Sequence, residues 1–92
     1  MQDIPHLSRI FSQMLNEYRE KSGLSQRRLA SFIGCARSYI AFLESGEHMP
    51  SLNTFLLLAK AFGVDSLEFL AELQMRLAKI DKSEDDRPEN SA

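Results

Sequence analysis

The chain has 92 residues, 43% of them hydrophobic and 26% charged, with a formal net charge of -2. That length holds one domain with one modest core, and the apolar content separates it from disordered chains. A lone cysteine, Cys35, excludes an internal disulfide and a cysteine-based zinc cluster, and no apolar run approaches the roughly 20 residues of a membrane span.

The spacing of Leu7, Ile10, Phe11, Met14, Leu15 and Tyr18 predicts a first helix with one buried face, entered near Pro5 and ended by Ser22 and Gly23. Arg9, Gln13, Glu17 and Glu20 fall on its other side and read as solvated surface. Ser25 can cap a second helix, with Leu24 and Leu29 spaced as a hydrophobic staple and Leu29, Ala30 and Ile33 facing inward. Gly34 breaks that run. A third helix is expected from Arg37 to Ser45, with Ile40 and Leu43 inward, joined by Tyr39, and Gly46 after it. Its cap position holds Ala36, which costs about 1 kcal/mol relative to Ser or Thr, so docking of Ile40 and Leu43 has to stabilise it. Ser51 or Asn53 can start a fourth helix that is apolar nearly all round, through Leu52, Phe55, Leu56, Leu58, Ala59 and Phe62, and so expected to be buried on several sides. Gly63 ends it. Asp65 and Glu68 then have capping-box spacing, with Val64 and Phe69 as a staple, for a last helix running to about Ile80.

Leu70, Leu73, Leu77 and Ile80 follow a 3-4-3 spacing, the seam of a helix that packs against another. The row extends past what a small core needs and is read as a dimer contact, with burial on the first helix as the alternative. Residues 81–92 hold five acidic residues against two basic ones, a net -3, and are expected to form an acidic flexible tail. Residues 1–80 are the expected domain and sum to +1. Within them, residues 17–46 carry five bases and three acids, a net +2. The weak positive charge therefore lies around the second and third helices, and a phosphate would feel it within a screening length of about 10 Å.

Taken together, Leu24-Ser25-Gln26, Leu29-Ala30, Ile33-Gly34, Arg37-Ser38-Tyr39-Ile40, Leu43-Glu44, Gly46 and Pro50-Ser51 resemble the phage-repressor and Cro-like (XRE-type) helix-turn-helix family over roughly residues 11–70. The resemblance implies an all-α, lambda-repressor-like five-helix bundle whose second and third helices form the reading motif, with the third entering the major groove and dimers binding paired half-sites. On that template Gln26 matches a glutamine that often contacts phosphate, Arg37 and Ser38 match outward positions at the start of the recognition helix, and Ala41 matches a further outward one. Ile40 and Leu43 match inward positions, and Gly34 the turn. The forked donors of Arg37 suit guanine O6 and N7, with a phosphate contact or a solvated role as alternatives. Arg27 and Arg28 are expected either to touch phosphate or to solvate the surface, and His48 to sit in a loop or face phosphate. Phe42 can meet a thymine methyl group or form an apolar patch covered by a partner. The length, the short connections and residues 69–77 also look like the controller proteins of restriction-modification systems, with a phage repressor or an antitoxin as comparable choices.

The expected function is that of a cytoplasmic, sequence-specific transcriptional regulator that binds double-stranded DNA as a homodimer. No cofactor, metal, membrane or small-molecule substrate is expected. His6 and His48 are isolated and no acidic pair has a third ligand, which argues against an enzyme. Cys35 is expected to be at least half-buried at the turn. Glu47 just after the third helix, with apolar Ala41 and Phe42 inside it, supports a second reading: a protein-binding adaptor on a helix-turn-helix scaffold, meeting its partner through Tyr39, Phe42 and Met49.

Overall fold

Two of the apolar stripes become helices that a serine caps at the start and a left-handed glycine ends. The computed structural model describes residues 1–84, with side chains described through residue 80. The helices are α1 (Leu7–Lys21), α2 (Gln26–Ile33), α3 (Arg37–Glu44), α4 (Leu52–Phe62) and α5 (Ser66–Glu84), with no strand among the described residues. Ser25 Oγ accepts the Arg28 amide at 3.0 Å, Ser51 Oγ accepts the Thr54 amide at 3.1 Å and Asp65 Oδ1 accepts the Leu67 amide at 2.7 Å. These bonds satisfy donors that the first helical turn leaves unpaired. Ala36 supplies no such bond to α3, and the fully buried Ile40 and Leu43 stabilise that helix instead.

Phe69 is the centre of the core. Its ring is fully buried, with Phe55, Tyr18, Phe62 and Phe11 at centroid distances of 4.9, 5.1, 5.9 and 6.3 Å. These are distances at which tilted and edge-on aromatic pairs attract beyond their area burial. The ring thereby joins the start of α5 to α1 and α4. Leu29 and Ala30 of α2, with Ile40 and Leu43 of α3, close the same core from the other side.

α4 is not buried all round. Phe55, Leu58 and Ala59 face the core, while Leu52 is 73% exposed and Leu56 is exposed with it. α2 and α5 both pack on α4, but Leu52 and Leu56, one helical turn apart, are left exposed.

The leucine row of α5 is divided in a similar way. Leu73 is buried in the chain's own core, and Leu77 and Ile80 pack against it. Only Leu70, 42% exposed, faces outward. The docking of Phe69 decides this: residues 73 and 80 return to within about 40° of its side of the helix, whereas residue 70 sits about 100° further round and residue 77, at about 80°, is half-buried at the border. Arg76 ties α5 to α1 by donating to Glu17 Oε1 at 2.9 Å while also bonding Glu72 Oε2 at 2.7 Å, so Glu17 is an ion-pair partner and not merely solvated surface. α5 runs to Glu84, about one turn past the expected end near Ile80. The rest of the expected acidic tail lies outside the described residues.

Two glycines set the chain direction on either side of α3. Gly34, at φ 82°, ends α2, and its amide and that of Cys35 both bond the Ala30 carbonyl, at 2.8 and 2.9 Å. Gly46, at φ 86°, lies against α1: its carbonyl accepts Ser8 Oγ at 2.8 Å, and a Cβ there would stand 3.1 Å from Ser12 Oγ. Gly46→Ala is expected to lower stability by about 2 kcal/mol, from left-handed backbone strain plus crowding. Urea denaturation checks it; a loss below a few tenths of a kcal/mol would mean that α1 and the α3–α4 connection yield freely.

Candidate nucleic-acid interface

Residues 37, 38, 41, 42 and 45 of the α3 segment recur on one side of the helix. Arg37, Ser38, Phe42 and Ser45 are exposed there, with Ala41 half-buried between them. Ile40 and Leu43 point the other way into the core, which settles which side is free.

Beneath this surface runs a chain of polar contacts with Glu44 at its root. Glu44 and Arg19 are nearly buried, their side chains 9% and 13% exposed. Arg19 Nε donates to Glu44 Oε2 at 2.7 Å and its Nη2 to Oε1 at 3.3 Å. Asn16 Nδ2 and Gln26 Nε2 also donate to Oε1, at 3.4 and 3.0 Å. Gln26 Oε1 then accepts Arg37 Nη1 at 2.8 Å. A carboxylate only accepts and a guanidinium only donates, so just one orientation of the Gln26 amide satisfies both neighbours. The first residue of α3 is thereby oriented from the interior. Arg19 Nη1 also donates to the Leu24 carbonyl at 2.8 Å, fixing the connection between α1 and α2.

Burial works against ionisation of Glu44, but the hydrogen bonds from Arg19, Gln26 and Asn16 and the charge of Arg19 outweigh it and hold its carboxyl below the ordinary range. Its charge is answered internally by Arg19. What the surface presents is Arg27, Arg28 and Arg37, with Glu47 as an acid at the edge; all four are exposed.

His48 is exposed too, and its ring lies on Phe42, centroids 4.1 Å apart and planes at 17°. Tyr39 is half-buried beside them, 6.4 Å from Phe42 at 25°. The structure thus joins Gln26 to Arg37 and Phe42 to His48, leaves Ser38 and Ala41 between these pairs, and sets Arg27 and Arg28 on the outer side of α2. That outer side also exposes Phe32, near Arg27, Arg28 and Ser31, a feature the sequence reading did not single out. The parts played by Asn16, Arg19 and Glu44 were missed as well: Arg19 and Glu44 are 25 positions apart, and no local period links them.

Cys35 is half-buried at the turn, and burial pushes its thiol pKa up, away from thiolate chemistry. Among the described residues no three His, Cys, Asp or Glu side chains are grouped to hold a metal ion, and no helix is long and apolar enough to cross a membrane. On the far flank, Leu52, Phe55, Leu70, Leu73 and Leu77 line an apolar groove of about 400 Å³.

Residues 15–69 match the helix-turn-helix family HTH_3. The HTH-type transcriptional regulator PuuR of Escherichia coli (strain K12) is 38% identical over 58 residues, which are 63% of this chain and 31% of PuuR. The chain therefore spans about a third of that relative. Control protein C.SmaI of Serratia marcescens is 36% identical over 55 residues, 60% of this chain and 66% of that protein. Among solved structures, the clp gene regulator ClgR of Corynebacterium glutamicum has the same fold, with a TM-score of 0.76 over 89% of this chain and 87% of its own, at 23% identity.

Glu44→Gln keeps the shape of the hub and removes its charge; it is expected to lower stability by about 1–3 kcal/mol at neutral pH, as for hydrogen bonds to a charged group. Because the native carboxyl titrates below its ordinary value of 4.5, its stabilisation is complete above that pH and is lost as pH falls through the native pKa. The gap between wild type and Glu44→Gln should therefore narrow below about pH 4.5 in denaturant titrations. A gap constant with pH would remove the charge from the account.

Proposed function

The chain belongs to the helix-turn-helix family of DNA-binding transcriptional regulators, and from that we propose that it binds an operator in cytoplasmic duplex DNA as a dimer, one α3 in the major groove for each half-site. The observation that carries this reading is the ordered contact from Glu44 through Gln26 to Arg37. A surface arginine held in place from the core has little freedom left to lose on binding, and Arg37 is exposed, so its remaining donors can meet a base edge or a phosphate. Arg27 and Arg28 supply sequence-independent attraction to the backbone, and Ser38 a permissive hydrogen-bonding group beside Arg37. Occupancy of the operator then represses by excluding polymerase.

Two copies are needed to read two half-sites, about 34–36 Å apart when separated by one duplex turn. The α4–α5 flank supports the contact between them. Leu52 and Leu70 line its groove and are exposed, and Leu56 and Leu67 are exposed on the same two helices. In this arrangement Leu70 meets the second copy directly, while Leu73, Leu77 and Ile80 brace it from the core side.

Selection from a randomised duplex library decides between this reading and the adaptor. A symmetric enriched site with a steep salt dependence supports the regulator; no enrichment and no duplex affinity would assign the α3 surface to a protein partner. With the enriched duplex, Arg37→Ala is expected to weaken binding by about 1–3 kcal/mol at one base pair of each half-site and to relax selection there. Equal weakening on random duplex would move Arg37 to the backbone. In sedimentation, Leu70→Asp is expected to convert the dimer to a monomer with an unchanged helical circular-dichroism signal. A persistent dimer would place the contact elsewhere.

A further inference from the structure

Phe42 is the bulkiest apolar side chain on the outward side of α3, and it is 44% exposed. It is also fixed in place. His48 covers it at 4.1 Å with nearly parallel planes, and Tyr39 stands on its own helix at 6.4 Å. Phe42 comes from α3 and His48 from the connection beyond Gly46, where the left-handed backbone turns the chain back. Two segments thus converge on a flat apolar surface directly beside Ser38 and Ala41, on the side of the helix that carries Arg37.

Base edges in the major groove offer hydrogen-bonding groups and one apolar feature, the C5-methyl group of a pyrimidine. The exposed Phe42 ring cannot use the former and suits the latter. We infer that the Phe42–His48 pair takes a pyrimidine C5-methyl group, so that one base pair of each half-site is selected by methyl contact instead of by hydrogen bonds. The inference rests on the proposal that α3 enters the major groove. Phe42 lies five positions after Arg37 in α3, about 7.5 Å along the helix. At about 3.4 Å per base pair, the methyl-bearing pyrimidine lies about two base pairs from the one that Arg37 meets. Phe42 makes the contact, and His48 is a positioning residue that keeps the ring from turning away.

The test uses the full chain and duplexes enriched from a randomised library. In an enriched duplex each thymine is replaced in turn by deoxyuridine, which lacks only the methyl group, and each cytosine by 5-methylcytosine, which adds one. The expected result is a loss of about fourfold in affinity at one thymine per half-site, or a gain of about fourfold at one cytosine, the size of one buried methyl contribution. The first identifies thymine as the source of the methyl group and the second 5-methylcytosine. In Phe42→Ala the effect should vanish while the Arg37 base pair remains selected. His48→Ala should diminish it and His48→Phe restore it, a pattern that a purely structural His48 would not produce. Circular dichroism confirms folding of each variant. If no replacement changes affinity, or if the effect survives in folded Phe42→Ala, the inference is overturned and the regulator reading stands. If the library yields no enriched sequence, the major-groove reading fails and the inference with it.

Discussion

The carboxylate of Glu44 is the constraint on which the exposed surface of α2 and α3 depends. It sits at the end of α3, nearly out of water, where an unpaired charge would cost several kcal/mol. Asn16 and Arg19 from α1 and Gln26 from α2 converge on it. Three helices are therefore held in one mutual arrangement by one charged group and its donors. The ion pair of Arg76 with Glu17 is different in kind, since its carboxylate is 53% exposed and such pairs contribute at most about 1 kcal/mol.

The hub also carries information outward. Gln26 has a donor end and an acceptor end; once the donor end is committed to Glu44, the acceptor end can only face Arg37. The interaction that orders the three helices thus also orients the arginine at the start of α3. The bonds that stabilise the core and those that position Arg37 are continuous, so a change at residue 19 or 44 reaches the surface without touching it.

The molecule keeps its two surfaces apart. Around α2 and α3 the exposed groups are mainly arginines and small polar residues, with the Phe42–His48 pair at one edge and Phe32 on the outer side. Around α4 and α5 they include Leu52, Leu56, Leu67 and Leu70, set among polar residues such as Asn53, Lys60, Glu68 and Gln74. Phe69 lies between, joining the latter helices to α1 by ring contacts. A net charge of -2 for the whole chain conceals this division, because residues 81–92 carry -3, and the field at a surface follows the charges within a screening length of it.

Much of the fold was legible in the chain itself, because helix periodicity, serine and aspartate caps and terminal glycines all act within a few residues. Ser25, Gly34, Ser51 and Asp65 mark the boundaries where the structure has them. The outward residues of α3 were legible too, since Ile40 and Leu43 can face only inward. What an apolar stripe cannot state is which surface covers it. Leu70 and Leu73 belong to one sequence row, yet the docking of Phe69 exposes the first and buries the second; Leu52 and Leu56 look like core and are uncovered in the described chain. Tertiary packing alone brought Arg19 to Glu44 and His48 to Phe42, because those meetings depend on how helices and connections lie against one another, and the local spacing of residues does not encode that.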